Sequence, residues 1–278
     1  MDGDSGFFPR SAESAAGCGI LVVGHGTRDP IGAEETAAVT HLLSVQCDGI
    51  AVEGAFLELL EPSIMTGLGR LRDRGCRTVV VAPLLLFAAG HARRDVPDAL
   101  AAAAAATATC IVQADVLGIH PAIVALAARR RAEAVAGRAA VAVADTVDVV
   151  VGRGASDGGA EARLTELVAA VDRQSDGPRA WRTLTGFVAA ARPTVAEALA
   201  DAGAAGPRRV VVRPHLLFSG AVERDIAAAV AAARAANPAI EWLLAARLGA
   251  DAAIAAALAD RIAAVWPHRI DDMPACPA

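Results

Sequence analysis

An internal repeat constrains the fold of this sequence more than any other feature. Three segments of the first half recur in the second: LVVGHGTRD (21–29) as VVVGRGASD (149–157), FLELLEPS (56–63) as FVAAARPT (187–194), and VVVAPLLLF (79–87) as VVVRPHLLF (210–218). The last two pairs lie 131 positions apart and the first pair 128. Agreement at three separate segments predicts two copies of one structural unit.

Within each copy, short apolar stretches alternate with helical ones. In the first copy we expect strands over 20–24, 52–57, 78–86 and 110–114, and helices over 34–45, 64–74, 96–106 and 120–136. Such alternation with continuous apolar strands is typical of a parallel sheet that carries helices on both faces. The expected fold class is therefore α/β, with two domains in tandem.

The length of the chain, 278 residues, suits two domains, each able to bury its own core. We place the boundary between the copies near residues 137–147. The predicted organisation is an N-terminal tail at 1–17, a first domain at 18–138, a second domain at 139–267 and a C-terminal tail at 268–278.

Composition excludes several functional classes. A net charge of −5 and an aromatic content of 3% argue against nucleic-acid binding. No charge-free apolar stretch reaches the roughly 18 residues of a membrane span, and the acidic N-terminus is unlike a secretory signal, so we expect a soluble, cytoplasmic protein. All 26 basic residues are arginine, so abundant arginine is by itself no functional signal. The five cysteines form no CxxC pair, which leaves histidine and carboxylate to hold any metal.

Three metal-capable residues occur in the first copy and are lost from the second. His25 follows the first predicted strand, Glu58 ends the second, and His91 lies just beyond the third; their counterparts are Arg153, Ala189 and, at or near that position, Val222. Because the carboxyl ends of parallel strands face one crevice, the three side chains are expected to converge there. Two imidazoles and one carboxylate suit Fe²⁺, Co²⁺, Ni²⁺ or Zn²⁺.

Each of these residues also has an ordinary structural interpretation. A histidine in a glycine-rich loop usually makes a hydrogen bond within the loop, and Glu58 could be a charge at the entry to a helix. The joint loss of all three from the second copy favours a shared function. The remaining histidines of the first and last segments are not assigned a role: His41, His120 and His268.

At these residues the sequence resembles the sirohydrochlorin chelatases, the ATP-independent class that includes the cobalt chelatases of the anaerobic cobalamin route. The resemblance rests on VVGHGTRDP (22–30), AFLELLEPS (55–63), VVVAPLLLFAAGHARRDVP (79–97) and RRVVVRPHLLFSGAVERDI (208–226), and it covers residues 18–266 in the long, fused form of the family. It implies two flavodoxin-like domains that face each other across a tetrapyrrole cleft. It also implies that His25 and His91 bind the metal and that Glu58 accompanies them.

The resemblance further implies the substrates and their partners. Sirohydrochlorin is a planar macrocycle with eight carboxylates and two pyrrole N–H protons, and the divalent metal is a second substrate, so no permanently bound cofactor is expected. Arginine pairs well with carboxylates. Candidate substrate-binding residues lie after the predicted strands: Arg28, Arg93, Arg94, Arg153, Arg213 and His215. The fused form is compatible with a monomer that acts as a pseudo-dimer.

Several alternatives remain open at the level of sequence. Cobalt insertion for cobalamin competes with iron insertion for sirohaem, and the absence of a histidine-rich stretch or C-terminal cysteine cluster favours iron. A non-catalytic carrier of metal or tetrapyrrole is a different class of function. A nucleotide-binding Rossmann domain is disfavoured because GHGTRD (24–29) lacks the GxGxxG pattern.

Overall fold

The computed structural model describes residues 17–87, 92–174 and 179–266, and only the backbone of 92–95. In the first half of the chain the elements are β1 (Cys18–Gly24), α1 (Pro30–Gln46), β2 (Ala51–Phe56), α2 (Ile64–Asp73), β3 (Thr78–Pro83), α3 (Ala92–Thr107), β4 (Cys110–Gln113) and α4 (Pro121–Val135). In the second half they are β5 (Thr146–Gly152), α5 (Ala160–Gln174), β6 (Arg182–Phe187), α6 (Val195–Ala204), β7 (Arg209–Pro214), α7 (Ala221–Ala236), β8 (Glu241–Leu244) and α8 (Ala252–Ala263).

The strands form two parallel four-stranded sheets with the same order. The first sheet runs β2-β1-β3-β4 and the second β6-β5-β7-β8. The registers also agree, since Ile20 pairs with Val52 and Val80 as Asp148 pairs with Thr183 and Val211. This is the flavodoxin-like order, whose ligand site lies where the connections diverge, beyond the carboxyl ends of the first and third strands. The predicted fold class, α/β with two tandem flavodoxin-like domains, is confirmed.

The central strands are buried along their whole length, as their continuous apolar sequences predict. Every residue of β1, β3, β5 and β7 is buried. In the second sheet Val147, Val149 and Val151 pack against α6 and α7, whereas Val150 packs on the opposite face among residues of α4 and α5. Burial on both faces follows from the alternation of side chains along a strand between two layers of helices.

The ends of two elements differ from the sequence prediction for identifiable reasons. Helix α1 begins at Pro30 rather than at residue 34, because the Asp29 side chain caps it by accepting a hydrogen bond from the Ile31 amide at 3.1 Å. A proline at the first helical position suits such a cap. Strand β3 ends at Pro83 rather than at residue 86. Beyond it the carbonyls of Leu85 and Leu86 accept hydrogen bonds from the loop after β4.

The division into compact units also differs from the expected boundary at 138/139. One unit takes the chain up to Gly118 and again from Ala250, and the other takes Ile119–Gly249. Helix α4 contacts α5, β7 and β8, whereas α8 contacts α1 and β3. The last helix of each copy therefore completes the helical layer of the other copy. Both helices carry similar apolar faces, so the sequence pattern does not say which sheet each one covers.

Equivalent arginines fasten the two exchanged helices. Arg130 of α4 donates two hydrogen bonds to the carbonyl of Leu248, at 3.2 and 2.7 Å, within the second unit. Arg261 of α8 donates to the carbonyl of Leu117 at 3.1 Å within the first unit. In both cases the acceptor lies in the segment after the fourth strand of that sheet.

Among the described residues, no helix is long and apolar enough to cross a membrane.

The exchange of α4 and α8 predicts which elements are destabilised when a buried residue of either helix is truncated. Ile254 of α8 and Ile123 of α4 are fully buried and occupy equivalent positions. We expect Ile254→Ala and Ile123→Ala each to cost about 2–5 kcal/mol of stability, the usual range for such a truncation. Amide hydrogen exchange should rise in α1 and β3 for Ile254→Ala, but in α5 and β7 for Ile123→Ala. The reverse pattern would contradict the exchange.

Candidate functional site

The carboxyl ends of β1 and β2 bring His25 and Glu58 together. Backbone pairing continues past both strands, since the Leu57 amide donates to the Gly24 carbonyl at 2.9 Å and the Glu58 amide to the His25 carbonyl at 3.1 Å. The His25 Nδ1 and Glu58 Oε1 atoms then lie 3.4 Å apart, with the two side chains 47% and 54% exposed. The two sequence-predicted residues thus form an accessible pair at the edge of the sheet.

The geometry of this pair allows two chemical roles. A carboxylate beside Nδ1 orients an imidazole and leaves Nε2 free to act as a ligand or base. Two ligands of one tetrahedral ion, each about 2.1 Å from it, would also stand about 3.4 Å apart. Both roles require solvent access, which the half-exposed side chains provide. Burial would instead have favoured a purely structural pair.

Gly26 allows the loop after β1 to approach the segment after β2. Its φ is +102°, and a Cβ atom there would lie 1.9 Å from the Glu58 carbonyl oxygen. The second unit repeats this feature: Gly154 has a φ of +88°, and its Cβ would lie 1.8 Å from the Ala189 carbonyl oxygen. Only glycine tolerates both the backbone conformation and the close approach.

The second unit keeps the backbone of the site and changes its chemistry. The Ala189 amide donates to the Arg153 carbonyl at 2.9 Å, as Glu58 does to His25. Arg153, exposed at the end of β5, takes the place of the histidine, and an alanine takes the place of the glutamate. The scaffold therefore forms without either side chain, so neither His25 nor Glu58 is needed to build the loop.

The structure describes the other candidate residues of the first copy to different extents. Arg28 is exposed in the loop between β1 and α1. His91 lies outside the described residues, and Arg93 and Arg94 lie in α3 where only the backbone is described. Within 17–87, 92–174 and 179–266 no three histidine, cysteine, aspartate or glutamate side chains form a metal-binding group. The described part of the site is thus the pair of His25 and Glu58.

Arg213 and His215 do not lie where the sequence analysis expected them. Arg213 is inside β7 rather than on a loop, is 7% exposed, and donates to Asp148 Oδ2 at 3.1 Å. His215 follows β7 but is 5% exposed. Burial, followed by the charge of Arg213, lowers the pKa of His215 to about 3. Both side chains face the interior of the second unit, so neither is exposed at the carboxyl edge of the sheet, where the carboxylates of the macrocycle were expected.

The two unassigned histidines that the structure describes, His41 and His120, form no second site with other described residues. His41 is exposed on α1. His120 caps α4, its Nδ1 accepting a hydrogen bond from the Ala122 amide at 3.2 Å, which is a structural role. His268 lies outside the described residues.

Comparison with known proteins identifies the family. The CbiX family model matches twice, over residues 19–134 and 148–265, once for each copy of the repeat. The chain belongs to the CbiX family. Its two matches follow the repeat in the sequence, so each includes the helix that the structure assigns to the other unit.

Similar proteins carry two related names. A sirohydrochlorin ferrochelatase of Priestia megaterium is 28% identical over 209 residues, which is 74% of this chain and 76% of that protein. A sirohydrochlorin cobaltochelatase of the same organism is 27% identical over 232 residues, 83% of this chain and 74% of that protein. SirB from Bacillus subtilis, in a structure with Fe³⁺, superposes with a TM-score of 0.76 at 25% identity, covering 90% of this chain and 95% of SirB. SirB from Bacillus subtilis subspecies spizizenii, in complex with cobalt, gives a TM-score of 0.73 at 26% identity, covering 90% of this chain and 95% of that protein.

The contact at Gly26 predicts the effect of adding a methyl group there. Gly26→Ala must displace the Glu58 backbone, and such overpacking costs about 1–3 kcal/mol beyond the cost of a positive φ. Gly49 offers a matched control, because its φ is +79° and none of the described residues beyond its chain neighbours lies within 4 Å of its Cβ position. We expect Gly26→Ala to lower the free energy of unfolding by clearly more than Gly49→Ala, as measured by urea denaturation. Equal decreases in the free energy of unfolding for the two variants would show that the loop can move away from the added methyl group at little cost.

Proposed function

We propose that this protein inserts a divalent metal ion into sirohydrochlorin without ATP. The proposal rests above all on His25 and Glu58, an accessible pair at the carboxyl edge of the sheet in a chain of the CbiX family. The names of similar proteins, which are sirohydrochlorin chelatases for iron and for cobalt, support the same substrate. The metal is a substrate in this reaction and enters the ring as two pyrrole protons leave.

The proposed roles follow from the chemistry of the side chains. His25, in its neutral form, holds the incoming ion through a ring nitrogen. Glu58, 3.4 Å from it, either shares the ion or orients the imidazole, and as a carboxylate it can accept a pyrrole proton. His91 is proposed as the second imidazole on the strength of its sequence position alone. Holding the ion and the ring together turns a slow encounter into a unimolecular step.

Arginines are proposed to hold the carboxylates of the ring. Arg28 and Arg153 are exposed at the carboxyl edges of their own sheets, where guanidinium groups can pair with carboxylates in two-pronged hydrogen bonds. Arg93 and Arg94 are proposed for the same role from their positions in the sequence. Arginine stays protonated, so Arg153 cannot replace His25 as a metal ligand.

The function is tested by anaerobic incubation of the purified protein with sirohydrochlorin and Fe²⁺, Co²⁺ or Ni²⁺ separately, following the absorbance of the macrocycle. We expect insertion with at least one metal at a rate above the protein-free control. Because ferrochelatases and cobaltochelatases are about equally similar to this chain, the three metals are compared at equal concentration. Binding of metal or ring without faster insertion would instead favour a carrier.

The pair of His25 and Glu58 is tested by a double-mutant cycle. We expect His25→Ala to remove nearly all insertion while changing stability by less than about 1 kcal/mol, as for other exposed residues. Glu58→Gln should lower turnover, and the double variant should be no slower than His25→Ala, since groups that act as a unit are not additive. His91→Ala should match His25→Ala. His41→Ala, which alters an exposed histidine of α1, is the control, and near-normal rates for His25→Ala would refute the assignment.

Arg153 is tested by the balance between KM and metal affinity. A charge-assisted hydrogen bond contributes about 1.5–3 kcal/mol, so Arg153→Ala should raise the KM for sirohydrochlorin roughly tenfold or more and leave affinity for free Co²⁺ unchanged. Arg208→Ala serves as the control, because Arg208 is exposed at the opposite, amino edge of the same sheet. Weaker Co²⁺ binding at an unchanged KM for sirohydrochlorin would show that the proposed role of Arg153 in binding the macrocycle is wrong.

A further inference from the structure

The second unit contains a buried cluster of charged residues between its sheet and the layer of α4 and α5. Arg131 of α4 donates two hydrogen bonds to Asp148 of β5, at 2.7 and 3.0 Å, and Arg213 of β7 donates a third at 3.1 Å. The three residues are 7%, 2% and 7% exposed respectively. Two guanidinium groups thus share one carboxylate away from solvent. The cluster carries an excess positive charge that its own members do not neutralise.

The equivalent positions of the first unit carry no charged residues. By strand register Asp148 corresponds to Ile20, and Arg213 to Ala82. Arg131 of α4 corresponds to Ile262 of α8, counted from the equivalent helix caps His120 and Asp251. All three counterparts are apolar and fully buried. Three positions that are apolar in one unit are therefore charged together in the other.

Stability alone does not account for this change. The first unit forms the same sheet with an apolar set, and replacing a buried ion cluster by apolar side chains is often neutral or stabilising. Burial lowers the pKa of Arg213, and the charges of Asp148 and Asp172 act in the opposite direction; taking a cation out of water is unfavourable unless its partners compensate. A cost of this kind is expected where buried charges bind something.

A cavity adjoins the cluster and gives it access to a ligand. Its volume is about 300 Å³, and its charged lining consists of three arginines and two aspartates: Arg131, Arg179, Arg213, Asp148 and Asp172. The buried Nε of Arg213 has no hydrogen-bond partner among the described residues. Arg179 precedes β6 and Asp172 is near the end of α5, so the cavity lies toward the amino ends of the strands. Arg153 stands at the opposite, carboxyl edge of this sheet.

We propose that this cavity binds a small oxyanion, an inorganic phosphate or an organic carboxylate. The anion would accept hydrogen bonds from the guanidinium groups of Arg213 and Arg131, both of which line the cavity. One negative charge would balance the excess positive charge that Arg131 and Arg213 carry over Asp148. The volume is at the lower end of the range for ligand pockets, which suits a small anion rather than a macrocycle. The site is separate from the proposed chelatase site and does not depend on it.

The test is a calorimetric titration of the full-length protein with sodium phosphate and, separately, with sodium acetate, at constant ionic strength set by sodium chloride. We expect saturable binding of at least one of the two anions, and the preferred one identifies the class of ligand. Arg213→Ala, which introduces the residue found at the equivalent position of the first unit, should weaken that binding tenfold or more, as expected for loss of a charge-assisted hydrogen bond. Arg173→Ala, at an exposed arginine of α5 close to the cavity, should leave it unchanged.

A second variant separates ligand binding from folding. The triple change Arg131→Ile, Asp148→Ile and Arg213→Ala transfers the whole apolar set of the first unit, so it should fold and show no saturable anion binding. The thermal midpoint of the wild type should rise with the preferred anion, whereas that of the triple variant should not. Absence of saturable binding to the wild type would overturn the proposal. Binding that is equally tight in Arg213→Ala would overturn it as well.

Discussion

The candidate site depends on two backbone hydrogen bonds that extend the pairing of β1 and β2 by one residue each. They hold the Glu58 amide against the His25 carbonyl. The two side chains are therefore brought together by the backbone and do not depend on their mutual electrostatic attraction. An exposed ion pair contributes less than about 1 kcal/mol and could not order two loops by itself. The backbone supplies the order, and Gly26 makes it possible because no other residue fits under the Glu58 carbonyl.

The duplicated unit separates the backbone features that build the loop from the side chains proposed to act in it. The loop after β5 keeps the glycine, its positive φ and the backbone contact to Ala189, but carries neither the histidine nor the glutamate. In the opposite direction, the core of the second unit has gained Asp148 and its arginines where the first has only apolar groups. The two units therefore differ both at the carboxyl edge of the sheet and within its core, and the shared architecture tolerates both changes.

The strands and the repeat could be predicted from the sequence because both depend on local sequence patterns. Continuous apolar runs identify the buried strands, and equal spacing identifies the repeat. The meeting of His25 with Glu58 follows from the rule that parallel strands end at one edge. The inward direction of Arg213 was missed, although a strand buried on both faces leaves a charged side chain no route to solvent. Asp148, in an otherwise apolar strand, was the available signal.

The exchange of α4 and α8 could not be predicted, and it changes how the molecule behaves as a whole. Each copy of the repeat, taken alone, would hold three strand-covering helices of its own and one that fits a sheet it does not contain. Neither copy is therefore a self-sufficient folding unit, although each is a complete unit of sequence. Each sheet is covered in part by a helix that the other copy supplies. The second unit is continuous in sequence, whereas the first is completed only by α8, so its sheet lacks that cover until the end of the chain has been synthesised.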